Sequence, residues 1–188
     1  SINGRLVKVD YGLANNKRFI NSTTMGLDAR VNDIVVKALK KSIIPKKLIY
    51  SLAASYSILN PKIFDITLEL DDQIIKQKSL LVAIMNGKYY GNGVNPIQDV
   101  SIVDGYFDII VIEDVSVIKL MNLLPKYLKG NTSNISEMKI YRSKKVKLSS
   151  NELIDCQSDG ENFKSSSIIF DINENALTLK VPNYSKLY

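Results

Sequence analysis

The sequence contains no histidine and a single cysteine, Cys156. Catalysis by Ser-His-Asp or Cys-His groups is therefore excluded within this chain, as are zinc sites with histidine ligands. One cysteine cannot form an intramolecular disulfide or an all-cysteine metal site, and a reducing cytosolic setting is the simplest expectation. Acid–base chemistry must come from Asp, Glu, Lys or Tyr, and a bound metal should be a hard, oxygen-ligated ion such as Mg²⁺.

Long apolar runs are also missing, since none approaches the ~18 residues of a membrane-spanning helix and no signal-like segment opens the chain. Glycine and proline are few, at 9 and 5 of 188 residues, and 45% of the residues are hydrophobic. These are globular figures, and we expect residues 1–188 to form a single domain around one core. The 25 Lys and Arg against 19 Asp and Glu give a net charge of +6. That charge is compatible with phosphates, nucleic acid or an acidic membrane face as partners.

The first sixty residues predict a β-hairpin followed by two helices. Val7, Val9 and Tyr11 alternate with polar residues, which is typical of a strand with one buried face. The predicted elements are strands at 5–11 and 17–21, a helix at 33–41 capped by Asp33, and a helix from Pro45 to Leu59.

The rest of the chain predicts mainly strands. Residues 79–85 are almost wholly apolar, which indicates a central strand covered on both faces. The other predicted elements are strands at 63–70, 74–78, 108–112, 138–148, 152–157, 167–172 and 176–181, and one helix from Ser116 to Gly130. Because many strands accompany about three helices without regular β-α alternation, we predict an α+β fold with a mainly antiparallel sheet.

The densest basic stretch comprises Lys139, Arg142, Lys144, Lys145 and Lys147. If residues 138–148 formed one strand, Lys139, Lys145 and Lys147 would share one face. Two interpretations follow. The lysines could guard an exposed edge strand, or they could contact phosphate or a membrane.

Three glycine-containing segments carry candidate chemistry. Residues 86–93 follow the apolar strand and are either two turns or a loop whose N–H groups approach an anion; no helix follows, so a P-loop is rejected. Asp104-Gly105 is either a simple turn or part of a cation site. Asp159-Gly160-Glu161 places two carboxylates two residues apart at a strand-to-turn junction, where a general base could be tuned by its neighbour's charge.

In chain order, segments 19–21, 25–31, 85–93, 103–108 and 159–161 resemble the C-terminal domain of the diacylglycerol kinase catalytic family. This family includes YegS-like bacterial lipid kinases and the sphingosine kinases. The resemblance implies a β-rich, sandwich-like domain that packs against an N-terminal nucleotide-binding domain with a Gly-Gly-Asp-Gly-Thr loop. The sequence has no Gly-Gly-Asp-Gly segment. We therefore expect this chain to be the C-terminal part of a longer kinase, inactive as an isolated fragment.

The resemblance implies transfer of the ATP γ-phosphoryl group to a lipid hydroxyl, with diacylglycerol the first candidate lipid. Glu161 corresponds to the proton acceptor, and Asp159 is a close competitor that the sequence does not separate from it. The Asp104 carboxylate, with the backbone oxygens of Ser101 and Tyr106, corresponds to a structural Mg²⁺ site. ATP would be bound mainly by the missing domain.

The partners implied are the protein's own nucleotide-binding domain and a lipid substrate at the membrane surface, with the protein cytoplasmic and peripheral to the inner face. A homodimer is left open, and no nucleic acid is expected. The alternative is a non-catalytic β-rich module that uses its basic strand to bind anionic lipid or nucleic acid. Such a module would bind in a salt-sensitive way that does not depend on Asp159 or Glu161.

Overall fold

The computed structural model describes residues 3–40, 43, 45–90, 93–130, 132 and 135–183. Within these residues the chain forms nine strands and three helices. In chain order the elements are β1 (Gly4–Ala14), β2 (Lys17–Phe19), β3 (Ser22–Gly26), α1 (Leu27–Leu39), α2 (Lys46–Leu59), β4 (Phe64–Glu69), β5 (Ile74–Met85), β6 (Phe107–Glu113), α3 (Val117–Leu128), β7 (Met138–Ser143), β8 (Lys145–Ser158) and β9 (Glu161–Pro182).

All strand pairs are antiparallel, and the sheet order is β2-β1-β9-β8-β3-β5-β6-β7, with β4 pairing to both β5 and β8. The predicted α+β fold with a mainly antiparallel sheet is confirmed. The short strand β3 lies between β5 and β8, so the residues that follow β2 are brought beside the β8–β9 turn.

The second half of β5 is buried on both faces, as its apolar sequence predicts. Val82 and Ile84 belong to a core on one side of the sheet, which also contains the packed rings of Phe19, Phe107 and Phe170. Leu81, Ala83 and Met85 belong to a second core on the other side, together with Leu120 and Tyr127 of α3. The sheet therefore separates an all-strand core from a core that it shares with the helices.

Helix α1 begins six residues before its predicted start. It follows β3 directly through Gly26, whose φ of +88° is a conformation that glycine adopts without strain. Asp33 is not its cap, and instead forms an i,i+4 ion pair with Lys37 at 2.5 Å. Lys41, the predicted last residue of this helix, lies outside the described residues. The hairpin β1–β2, helix α2 and the Ser116 cap of α3 agree with the predictions.

The prediction of one strand at 138–148 is wrong, because the chain breaks at Lys144 between β7 and β8. The carboxylate of Asp71 causes this break by accepting hydrogen bonds from the Ser143 hydroxyl at 2.8 Å and the Lys144 N–H at 2.6 Å. Lys139 consequently lies on a different strand from Lys145 and Lys147, and the predicted shared basic face does not form.

Elsewhere the prediction divides strands that are continuous. Segments 74–78 and 79–85 are both parts of β5, which has a register shift between Ser79 and Leu81. Segments 167–172 and 176–181 are both parts of the 22-residue strand β9. Among the described residues, no helix has the length and apolar character that crossing a membrane requires.

Candidate functional site

The turn between β8 and β9 places Asp159 and Glu161 at one end of the sheet. Asp159 has a φ of +43° and accepts hydrogen bonds from three successive backbone N–H groups. These come from Ile20 at 2.6 Å, Asn21 at 3.1 Å and Ser22 at 3.0 Å. The Asp159 carboxylate therefore fastens the β2–β3 connection to this turn.

Glu161 has the opposite environment, although it is only two residues away. Its side chain is 79% exposed, and its one ion pair among the described residues is with Lys17, at a nitrogen–oxygen distance of 3.7 Å. A pair this exposed constrains the side chain little. Glu161 thus extends largely into solvent at this end of the sheet.

Asn32 of α1 holds the same turn from the helical side. Its side-chain amide donates to the Gly160 carbonyl at 3.1 Å and to the Asn162 side-chain oxygen at 2.7 Å. Asn32 is not among the residues predicted for the site. The sequence feature that points to Asn32 is its spacing of four residues from Asp28, since residues four apart lie on the same face of a helix.

A polar pocket of about 280 Å³ opens beside the turn. Asp28 lies in its wall, where its Oδ2 accepts hydrogen bonds from Thr24 at 3.0 Å and from Gln157 at 2.8 Å. Burial raises the pKa of Asp28 above its ordinary value. The pocket is lined by Asn21, Ser22, Asp28, Val31, Asn32, Tyr50, Tyr90, Gln157, Asp159 and Gly160.

An apolar cavity of about 470 Å³ adjoins this pocket. Four residues, Asp28, Val31, Tyr50 and Tyr90, line both spaces, so the two are neighbours with a shared wall. The rest of the cavity is formed mainly by aliphatic side chains of α1, α2, α3, β5 and β6, including Leu27, Ala54, Ile58, Leu81, Ile112, Leu120, Leu123 and Leu124. An enclosure of this composition suits a hydrocarbon chain.

The two phenols at the edge of the cavity contact each other. Tyr90 and Tyr127 are 7% and 5% exposed, and their hydroxyl oxygens lie 2.5 Å apart. Burial raises the pKa of both hydroxyls above the ordinary value of a tyrosine. Both hydroxyls therefore stay protonated at neutral pH and can donate hydrogen bonds. Tyr90 belonged to a predicted loop and Tyr127 to a predicted helix, and no local pattern in the sequence indicates that they are in contact.

The Asp104 loop is arranged around a cation of the protein itself. The Asp104 carboxylate accepts the Tyr106 N–H at 3.1 Å and pairs with Arg142 at 2.6 Å. The Ser101 hydroxyl accepts the Val103 N–H at 3.4 Å. Arg142 already neutralises the Asp104 carboxylate, which is the one side-chain ligand predicted for the ion. Among the described residues, no group of three or more acidic, cysteine or histidine side chains could hold a metal.

Buried polar groups connect this loop to the β8–β9 turn. Asp10 accepts the Gly105 N–H at 2.8 Å and the Asn175 N–H at 2.7 Å. The Asn86 amide donates to the Asp10 carbonyl at 3.2 Å and to the Ile20 carbonyl at 2.7 Å. Since the Ile20 N–H is bound by Asp159, a continuous chain of contacts links the two loops. Gly91 and Asn92 of segment 86–93 lie outside the described residues.

The fold agrees with comparisons to known proteins. The family described as the YegS C-terminal NAD kinase beta sandwich-like domain matches residues 21–181. The chain belongs to this family, which confirms the resemblance stated from the sequence.

Individual relatives are diacylglycerol kinases. The chain is 25% identical over 160 residues to the diacylglycerol kinase of Staphylococcus epidermidis (strain RP62A). This alignment covers 85% of this chain and 50% of the relative. The chain is 24% identical over 160 residues to that of Staphylococcus saprophyticus, covering 85% and 52%. A crystal structure of a diacylglycerol kinase from Bacillus anthracis superposes with a TM-score of 0.63 at 19% identity, covering 93% of this chain and 53% of that one. The chain thus spans about half the length of these relatives.

Proposed function

We propose that this chain is the lipid-acceptor half of an ATP-dependent lipid kinase that transfers the γ-phosphoryl group to a lipid hydroxyl. The observation that carries the proposal is the apolar cavity next to the polar pocket at the β8–β9 turn. A lipid with its hydrocarbon chain in the cavity would present its polar end toward the turn that carries Asp159 and Glu161. The diacylglycerol kinases among the relatives make an acylglycerol the first lipid to test.

We assign the proton acceptor to Glu161 and a positioning role to Asp159. Asp159 already accepts three backbone hydrogen bonds, and protonating it would weaken all three. Glu161 gives up only one exposed ion pair when it takes a proton. In the reaction the lipid oxygen forms a bond to the γ-phosphorus, the bond between that phosphorus and the β–γ bridging oxygen breaks, and Glu161 accepts the hydroxyl proton.

ATP would be held mainly by a nucleotide-binding domain outside this chain, which would face the end of the sheet where the β8–β9 turn lies.

For Mg²⁺ we retain the Asp104 carboxylate and the Ser101 and Tyr106 backbone oxygens, with the ion in place of the Arg142 guanidinium. Such an ion would supply rigidity to the loop and no step of the reaction. If it binds, MgCl₂ raises the melting temperature of the chain, and Asp104→Asn removes that increase. An identical increase in the variant would exclude this site.

Membrane contact would follow from the exposed apolar surface of α2 and α3, the two helices that cover the cavity. Neither helix contains an acidic residue, and Lys46 and Lys47 begin α2. The large apolar side chains that are more than half exposed on these helices are Leu48, Leu52, Tyr56, Leu59, Ile118, Met121 and Leu128. An apolar face flanked by lysines suits an anionic bilayer surface, here the inner face of the membrane.

The activity test uses the full-length enzyme with ATP and vesicles that contain diacylglycerol. Glu161→Gln should lower the rate by about 10²–10⁴-fold, the usual contribution of a general base. It should leave stability unchanged, because the side chain is exposed. Asp159→Asn should lower both the rate and the stability, the latter by about 1–3 kcal/mol for unsatisfied N–H donors. Glu152→Gln, at an exposed carboxylate on β8, is the control.

A full rate with Glu161→Gln would remove Glu161 from the mechanism, and the absence of lipid phosphorylation by the wild-type enzyme would reject the proposed function.

The binding-module alternative has weaker support, because four cations of the basic stretch already pair with carboxylates. The pairs are Lys139–Glu113, Arg142–Asp104, Lys144–Glu174 and Lys147–Glu69.

A further inference from the structure

We propose that Asp28, Tyr90 and Tyr127, which we call the throat, recognise the ester carbonyl of an acylglycerol whose chain occupies the apolar cavity. This inference rests on the proposed function and adds to it a hydrogen-bonding specificity. Asp28 and Tyr90 line both the polar pocket and the cavity, and Tyr127 adjoins Tyr90. In an acylglycerol the ester group lies between the free hydroxyl and the chain, so it would lie at the throat.

The tyrosine pair supplies a hydrogen-bond donor at this position. Two hydroxyl groups carry two protons, and the contact between Tyr90 and Tyr127 uses only one. Neither hydroxyl has another hydrogen-bond partner among the described residues. No acceptor among the described residues takes the second proton, so it can bond to an acceptor that enters from the cavity.

Asp28 supplies a second donor when its carboxyl group is neutral. Both of its protein donors, Thr24 and Gln157, bond to Oδ2, and no donor among the described residues reaches Oδ1. This asymmetry suits a carboxylic acid with Oδ2 as its carbonyl oxygen and the proton on Oδ1. Burial favours the neutral form, and an acyl chain that displaces water from the cavity would favour it further.

The size of the cavity limits the ligand to one buried chain. A methylene group occupies roughly the volume of a water molecule, about 30 Å³. The cavity volume of about 470 Å³ is then filled by one chain of ordinary length, and a second chain would have to lie outside. The throat would therefore form hydrogen bonds with the ester carbonyl of a single acyl chain.

The experiment compares two probes that differ only in the carbonyl, 1-decanoylglycerol and 1-O-decylglycerol, by calorimetric titration of the 188-residue chain below their micellar concentrations. We expect the ester to bind about 3–10-fold more tightly than the ether, which corresponds to one or two modest net hydrogen bonds. The double variant Tyr90→Phe/Tyr127→Phe should reduce this preference, with the affinity for the ether unchanged. It removes both partners of one hydrogen bond, so it should fold normally, and thermal melting checks this.

Asp28→Asn tests the role of the carboxyl group. The amide oxygen can still accept from Thr24 and Gln157, and the amide nitrogen then donates where Oδ1 stood, so the preference for the ester should persist. Tyr11→Phe, at a partly exposed tyrosine of β1 that lines neither the polar pocket nor the cavity, is the control. Equal affinities of the wild-type chain for ester and ether would contradict ester recognition by the throat, while binding of the acyl chain in the cavity would remain supported. Loss of the preference in Asp28→Asn would overturn the donor role of Asp28. Binding of neither probe would overturn the inference and remove the support for a lipid acceptor.

Discussion

At the scale of single residues, the clearest result is that two carboxylates of one tripeptide have opposite surroundings. Asp159 is bound by three backbone N–H groups, whereas Glu161 extends into solvent. Their sequence positions are nearly equivalent, and only the neighbouring β2–β3 connection makes them different. On this difference rests our proposal that Glu161 accepts the proton and that Asp159 has a positioning role.

Asp108, near the Asp104 loop, should make stability depend on pH. Burial raises its pKa to about 6. The positive charge of Arg142 lowers this pKa, and the negative charge of Asp104 raises it. Between about pH 4 and pH 6 the folded chain then binds more protons here than the unfolded chain, so this group makes stability fall as pH rises. Because the carboxyl group is partly exposed, we expect the free energy of unfolding to fall by only about 1 kcal/mol between pH 4 and pH 6.

Urea unfolding of the wild type and Asp108→Asn at pH 4, 5, 6 and 7 measures this effect. The variant should gain stability relative to wild type as pH rises, whereas the exposed control Asp65→Asn should keep the wild-type slope. Parallel pH profiles for wild type and Asp108→Asn would show that Asp108 titrates normally.

At the scale of elements, the direct passage from β3 into α1 positions the site. Because α1 begins at Leu27, Asp28 and Asn32 lie one turn apart and face the polar pocket and the β8–β9 turn. With the predicted start at Asp33, both residues would have been in a loop. The passage depends on Gly26, where a Cβ atom would lie 2.4 Å from the Leu80 carbonyl oxygen.

Gly26→Ala should therefore destabilise the fold by about 3 kcal/mol, since it adds backbone strain to a clash with a main-chain atom. Gly93→Ala is the matched control, because Gly93 has a φ of +85° but open space around a Cβ. It should cost only about 1 kcal/mol of strain. Chemical denaturation of both variants measures the difference, and equal losses would mean that the clash at Gly26 relaxes.

At the scale of the whole molecule, the sheet carries the candidate acid–base residues and the three helices enclose the candidate lipid cavity. The exposed faces of α2 and α3 lie on the outside of that cavity. A lipid could thus pass from a membrane under these helices toward the turn at Glu161. Docking of the helices and entry of the substrate would then occur on the same side of the molecule.

Leu48→Asp/Leu52→Asp should weaken binding of the chain to vesicles that contain anionic phosphatidylglycerol by at least tenfold. The change removes two apolar contacts with the bilayer and adds two charges that the lipid repels. Co-sedimentation at several salt concentrations measures binding. Ile74→Asp, at a 67% exposed residue on the sheet, is the control and should bind as wild type. Equal binding by all three chains would place the membrane contact elsewhere.

The sequence by itself determined the class of fold, the buried strand at 79–85, helices α2 and α3, and the family, because these depend on local periodicity and ordered motifs. It excluded histidine chemistry within this chain, and the catalytic role of the tripeptide at 159–161 stays a prediction. It failed at the start of α1 and at Lys144, where a glycine conformation and the distant Asp71 carboxylate override local pattern. Only the tertiary structure decided which carboxylate is free, and only it joined Tyr90 to Tyr127 beside a cavity. Hydrogen bonds between residues 37 to 139 positions apart, and the space enclosed between separate helices, have no signature in a local sequence pattern.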